Sequence, residues 1–105
     1  MNNYKVEFDS IEWTSPAAGV RYKAFEHGGR KLRLVEFARD FVEADWCTKG
    51  HIGYLLKGRM QVDFSGTVVE FKAGDGIFIP AGPEHKHKAK VLTDIALVVL
   101  AEDSA

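Results

Sequence analysis

Apolar and polar residues alternate in steps of two along most of this chain, and helical periodicity is nearly absent. "VRYKAF" (20–25) alternates, Gly28 and Gly29 punctuate, and "RKLRLVEFA" (30–38) resumes with Leu32, Leu34 and Phe37 among charged neighbours. A repeat of two is that of strand side chains, so this stretch predicts a hairpin turning near His27-Gly28-Gly29. "YLLKGRMQVDF" (54–64) predicts a second hairpin, turning at Lys57-Gly58, with Met60, Val62 and Phe64 on one face and Arg59, Gln61 and Asp63 on the other. Ser65-Gly66 turns the chain into "TVVEF", and Ala73-Gly74-Asp75-Gly76 turns it into "IFIP". "HKHKAK" (85–90) and "DIALVVLAE" (94–102) follow. Eight or more short strands spaced by turn residues predict a closed or sandwich-like all-β fold. "IALVVL" is apolar on both faces, which predicts a strand covered on both sides, with a partner subunit as one candidate cover.

Length and charge narrow the picture. A chain of 105 residues suits a single core, so residues 1–105 read as one domain. The formal charge is −1, lysines and arginines are scattered among acids, and no basic stripe with interleaved aromatics points to nucleic acid. The opening "MNNYKVEFDS" has no apolar run of signal-peptide length, and "IALVVLA" (95–101) falls far short of the roughly 20 residues that span a bilayer. One cysteine excludes an internal disulfide and fits a reducing compartment. These features lead us to expect a soluble cytoplasmic protein that binds neither nucleic acid nor membrane.

The candidate chemistry lies between two glycines and a proline. Gly74 is followed by five residues, Pro80, one residue, Gly82, two residues and His85. Gly74 suits a turn that other residues adopt only with strain, and Pro80 and Gly82 bend the chain where a strand ends. This spacing resembles the second of two signatures of the cupin superfamily, G-x5-P-x-G-x2-H-x3-N, with Ala89 in place of the final Asn. In the first signature, G-x5-H-x-H-x3,4-E-x6-G, the final glycine matches Gly58. Counting back from it places His51 at the acidic position, Cys47 at the second histidine and Asp45 at the first. The four-residue spacing would place Trp46 and Ala44 there instead, and Arg39 replaces the leading glycine. The two motifs occupy about 39–58 and 74–89. The resemblance implies a double-stranded β-helix, or jelly-roll barrel, with one divalent metal inside and a homodimeric assembly.

Cys47, His51, His85 and His87 are the candidate metal ligands. In "HKHKAK" the lysines 86, 88 and 90 share one strand face, and His85, His87 and Ala89 share the other. Lysine ammonium groups prefer water, so both histidines are expected to point inward, with His51 and His85 meeting across the lumen. A thiolate with imidazoles suits zinc, iron, nickel or copper better than magnesium or calcium. Each residue has a plainer reading. His85 could simply hydrogen-bond, and His87 could support a ligand rather than be one. Cys47 is equally a small buried hydrophobe or a thiol activated by a neighbouring histidine. Trp46, beside the ligand loop, is the candidate ligand-pocket aromatic, whereas Trp13, Phe41, Tyr54 and Phe78 read as core or interface. Lys49 could offer a positive charge to a carboxylate or be merely solvated; Asp45 reads as a loop acid and His27 as surface.

Three functions fit. The first is a metal-dependent enzyme on a small molecule, of dioxygenase, isomerase, decarboxylase or lyase type. The second is a non-catalytic cupin that binds or senses a small ligand, with or without metal. The third is a metal-free barrel whose altered first motif marks a lost site. The fold by itself decides nothing among them.

Overall fold

In a computed structural model that describes residues 4–104, the described chain forms nine strands and two short 3-10 turns, Phe8–Ser10 and Pro83–His85. The first three residues of the polar opening lie outside the described residues. The strands are β1 (Thr14–Ala17), β2 (Val20–His27), β3 (Arg30–Ala38), β4 (His51–Lys57), β5 (Arg59–Phe64), β6 (Thr67–Lys72), β7 (Gly76–Ile79), β8 (Lys88–Val91) and β9 (Ile95–Asp103). They form a six-stranded sheet in the order β1-β2-β3-β9-β4-β7 and a three-stranded sheet in the order β6-β5-β8, with every pairing antiparallel. This is the expected jelly roll, and no described helix is long and apolar enough to cross a membrane.

The β2–β3 hairpin turns where the glycines predict, at Gly28 and Gly29, both with positive φ (59° and 77°). The predicted hairpin at Lys57-Gly58 does not form. β4 pairs with β9 and β7, whereas β5 pairs with β6 and β8, so Gly58 carries the chain from one sheet to the other. Its φ of +86° suits glycine, and a Cβ there would stand 2.1 Å from the Ile95 carbonyl oxygen.

Between the sheets lies a core of Val35, Leu55, Met60, Val62, Ala89, Val91, Ala96, Val98 and Leu100. Leu55 and Ala96 have no exposed surface. Full burial of a side chain such as Leu55 stabilises the fold by roughly 1.5–3 kcal/mol. The registers Val35↔Val98, Arg33↔Leu100 and Lys31↔Glu102 place one alternating set on the inner wall. That set is apolar in the middle of the barrel and charged at one end. The other set, Leu32, Leu34, Leu97 and Val99, faces out. Thus the inner face of β9 is buried, while its outer residues Leu97 and Val99 are only partly covered and Ile95 is exposed. Phe8 and Trp13 lie against the outer side of β2, through Lys23 and Arg21, but Ile52, Tyr54, Leu56 and Phe78 remain exposed.

One irregular segment completes the wall. Residues 41–47 run antiparallel beside β8, with Phe41 accepting from the Val91 N–H, Glu43 exchanging bonds with Ala89, and Cys47 exchanging two with His87. Backbone groups along β8 that would otherwise be an open edge are paired by this segment.

Candidate metal centre

Cys47 and His87 face each other because their backbones exchange both hydrogen bonds, Cys47 N–H to His87 O at 2.8 Å and His87 N–H to Cys47 O at 2.9 Å. His51 comes from the opposite sheet as the first residue of β4, opposite Ile79 of β7. The Cys47 Sγ lies 3.7 Å from His51 Nε2, and one ligand atom from each of Cys47, His51 and His87 lies within 4.8 Å of the others. The rings of His51 and His87 meet edge to face, with centroids 5.2 Å apart. His87 is buried at 3 % exposure, the one polar side chain so buried among the described residues.

Both imidazoles are oriented from behind. His51 Nδ1 lies 2.7 Å from Glu102 Oε2, and His87 Nδ1 lies 3.1 Å from the His85 carbonyl oxygen. Each acceptor calls for the proton on Nδ1, which leaves Nε2 with its lone pair. Glu102 is fixed in turn by Arg33, whose Nε and Nη2 donate to Oε1 at 2.6 Å and Oε2 at 2.8 Å. Burial alone would raise the Glu102 pKa. The hydrogen bonds from His51 and Arg33, together with the Arg33 charge, outweigh it and hold the carboxyl down at about 2.

The donor set fits a transition metal. With Zn–S near 2.3 Å and Zn–N near 2.0 Å, tetrahedral angles separate a sulfur and a nitrogen ligand by roughly 3.5 Å, close to the 3.7 Å between Cys47 Sγ and His51 Nε2. Three ligands from the protein leave a fourth position for water or another molecule.

Two of the sequence expectations do not hold. His85 does not join this group: it ends the 3-10 turn Pro83–His85, its side chain is 42 % exposed, and its ring nitrogen lies 3.9 Å from Glu84. The alternation of β8 begins only at His87, so period two cannot be carried back to residue 85; His85 contributes its carbonyl instead. Trp46 does not line the cleft. It neighbours the inward Cys47, and its ring lies under the ammonium groups of Lys86 (5.0 Å) and Lys88 (4.8 Å). Asp45 is exposed and outside the donor group, and Lys49 lines the cleft.

The donor group opens into a cleft of about 290 Å³, walled by apolar side chains including Phe37, Phe41, Phe71, Ile77 and Leu100. Glu43 also lines it. Its Oε1 accepts the Ala89 N–H at 2.9 Å, and Oε2 has no hydrogen-bond partner among the described residues. Sequence reasoning misses Arg33, Glu43 and Glu102. The one signal for Glu102 and Arg33 is a charge at an inward position of an otherwise apolar strand face.

Comparison with known proteins agrees with this architecture. A family model described as a cupin domain matches residues 48–100, just over half of the chain. No curated protein matches. Among solved structures, KdgF from Halomonas sp. superposes with a TM-score of 0.74 at 22% identity, covering 92% of this chain and 90% of that one. An RmlC-like cupin from Shewanella frigidimarina gives 0.75 at 16% identity, covering 96% and 92%. The polyketide cyclase RemF from Streptomyces resistomycificus gives 0.78 at 16% identity, covering 96% and 79%. At these identities the likeness is one of fold.

Proposed function

The chain belongs to the cupin family, and from that premise we propose that it holds one divalent transition metal on Cys47, His51 and His87 and acts on a small molecule bound in the adjoining cleft. The observation that carries this reading is the convergence of one sulfur and two imidazoles, each imidazole with Nδ1 engaged from behind and the Nε2 of His51 turned to the Cys47 sulfur. A buried histidine kept only for packing does not need two such neighbours.

Zinc, iron, nickel and copper all accept this donor set, and the ion would polarise an oxygen or nitrogen of a ligand occupying its open position. The protein's own residues do the rest. Arg33 and Glu102 fix the His51 ring and its tautomer. The apolar wall excludes water and takes the body of the ligand, in a volume at the small end of ligand sites. The free oxygen of Glu43 can accept a hydrogen bond from a ligand hydroxyl or amine. This arrangement favours a dioxygenase, isomerase, decarboxylase or lyase type of chemistry over simple carriage, because a positioned acid faces the same cleft as the metal ligands. The homodimer implied by the family is part of this reading, supported by the exposed apolar residues on the outer face of the large sheet.

The test is metal analysis of protein purified without chelator. The wild type should carry about one transition-metal ion per chain. Cys47→Ser and His87→Ala should lose it, and His85→Ala should keep it. A folded wild type that stays metal-free after incubation with zinc or iron(II) overturns the proposal.

A further inference from the structure

The geometry points to a subsite for the anionic head of a small organic ligand, a carboxylate for instance, at the mouth of the barrel beside His51. This rests on reading the barrel as a small-molecule site. A second cleft of about 610 Å³ opens at the barrel end where β3 begins and β9 finishes, with Ile52 and Phe78 of the outer apolar face along its rim. It shares Arg33, Lys49, His51 and Ile79 with the apolar cleft, so the two meet at the donor group. Four cations line it, Arg30, Lys31, Arg33 and Lys49, against two acids, Glu102 and Asp103; four minus two leaves a formal excess of two positive charges. The whole chain carries −1. The opening is therefore positive in a chain that is negative as a whole.

The excess resides on two particular side chains. Arg33 is engaged by Glu102, and Arg30 stands 3.4 Å from Asp103. Lys31 and Lys49 make no ion pair among the described residues. Uncompensated charge on a concave wall focuses positive potential into the cleft and draws an anionic group to it. A molecule with an apolar body in the inner cleft and an anionic head at the mouth satisfies both surroundings. A neutral molecule leaves the two ammonium groups uncompensated, and a cation is repelled. Lys49, which touches both clefts, is the residue best placed to select between them.

The experiment compares benzoate with its neutral counterpart benzamide and with benzylamine, by titration calorimetry at low ionic strength. It uses wild type, the Lys31→Gln/Lys49→Gln double variant and the Lys31→Arg/Lys49→Arg double variant. Wild type should bind benzoate about tenfold or more tightly than benzamide and benzylamine, with the preference shrinking in about 0.5 M salt. The Gln pair should erase the preference and the Arg pair should keep it. Equal binding of benzoate and benzamide, no binding of benzoate, or a preference untouched by the Gln pair overturns the inference. Metal content measured on the same samples tests the other reading: an anion preference in protein that takes up no metal supports this subsite and sinks the metal centre alone.

Discussion

His51 Nδ1 meets Glu102 Oε2 at 2.7 Å across the β4–β9 pair, joining the first residue of one strand to the penultimate residue of another, 51 positions away. The pairing turns a sheet register into a chemical constraint. Wherever β9 sits against β4, the carboxylate decides which His51 nitrogen carries the proton and where the ring points. Arg33, on the far side of β9, completes a line of three side chains from three adjacent strands.

Glu102→Gln keeps the shape of this side chain and removes its charge. The amide is a weaker acceptor for the His51 N–H, and Arg33 loses its counter-ion. Loss of a carboxylate behind a metal-binding histidine typically lowers affinity 10–100-fold, and that is the expected fall here. A chelator competition on wild type and variant measures it. An affinity unchanged within twofold would mean that the Glu102 contact leaves the ligand unaffected.

Acid stability follows from the same carboxyl. Its folded-state pKa is lowered from the ordinary 4.5 to about 2 by His51 and Arg33 against the opposing effect of burial. A depressed acid stabilises the fold above its unfolded pKa, and the contribution disappears as pH falls from about 4.5 towards 2. Lys31, its register partner on β3, adds positive charge on the same wall. The shift corresponds to at most on the order of 3 kcal/mol. Urea midpoints of the metal-free protein should fall steeply between pH 5 and 3, and those of Glu102→Gln should fall less. Parallel curves for the two proteins would contradict the assignment.

The strands are legible in the sequence through their period of two, and Cys47 and His51 through the resemblance to the first cupin signature, counted back from Gly58; the structure brings both into one donor group. Where the reading fails, a non-local pairing decides. The segments flanking Gly58 alternate like the two arms of a hairpin, yet β4 finds better partners in β7 and β9, and only the sheet order reveals that. The alternation in "HKHKAK" is real from His87 onward, but the turn beginning at Pro83 takes His85 out of the strand. Glu102 closes an apolar run and has no local mark of its connection to His51. Leu32 and Leu34 look like core residues, but the register puts Arg33 and Val35 inside.

Gly53 shows how tightly the site's frame is packed. It lies in β4 opposite Leu100, two residues after His51, and a Cβ there would stand 2.0 Å from the Val99 carbonyl oxygen and 2.8 Å from Leu100 Cδ2. The nearer obstacle is backbone, so β4 and β9 must separate to accept a methyl group. Gly53→Ala should therefore cost about 2 kcal/mol or more, and it should also weaken metal binding by displacing His51 from Glu102. Chemical denaturation and chelator competition on the same variant check both effects. A variant as stable as wild type would show that the strands yield without cost.

The outer face of the large sheet gives the last prediction. Ile52, Tyr54 and Leu56 alternate with the inward His51, Gly53 and Leu55, and they are 50%, 45% and 43% exposed; Phe78, beside Ile52 on β7, is 76% exposed. The registers Ile52↔Ala101 and Tyr54↔Val99 extend the apolar surface onto β9. A monomer rarely leaves so continuous a patch in water, and a face placed about a two-fold axis covers itself with its own copy. The protein should therefore run at twice its 11.7 kDa chain mass in light scattering. Ile52→Lys/Phe78→Lys, which sets like charges against each other across such an axis, should shift it to the single-chain mass while its circular dichroism stays β-rich. A wild type that remains monomeric at about 100 µM, some hundredfold above a micromolar dissociation constant, would leave this face without the partner argued for it.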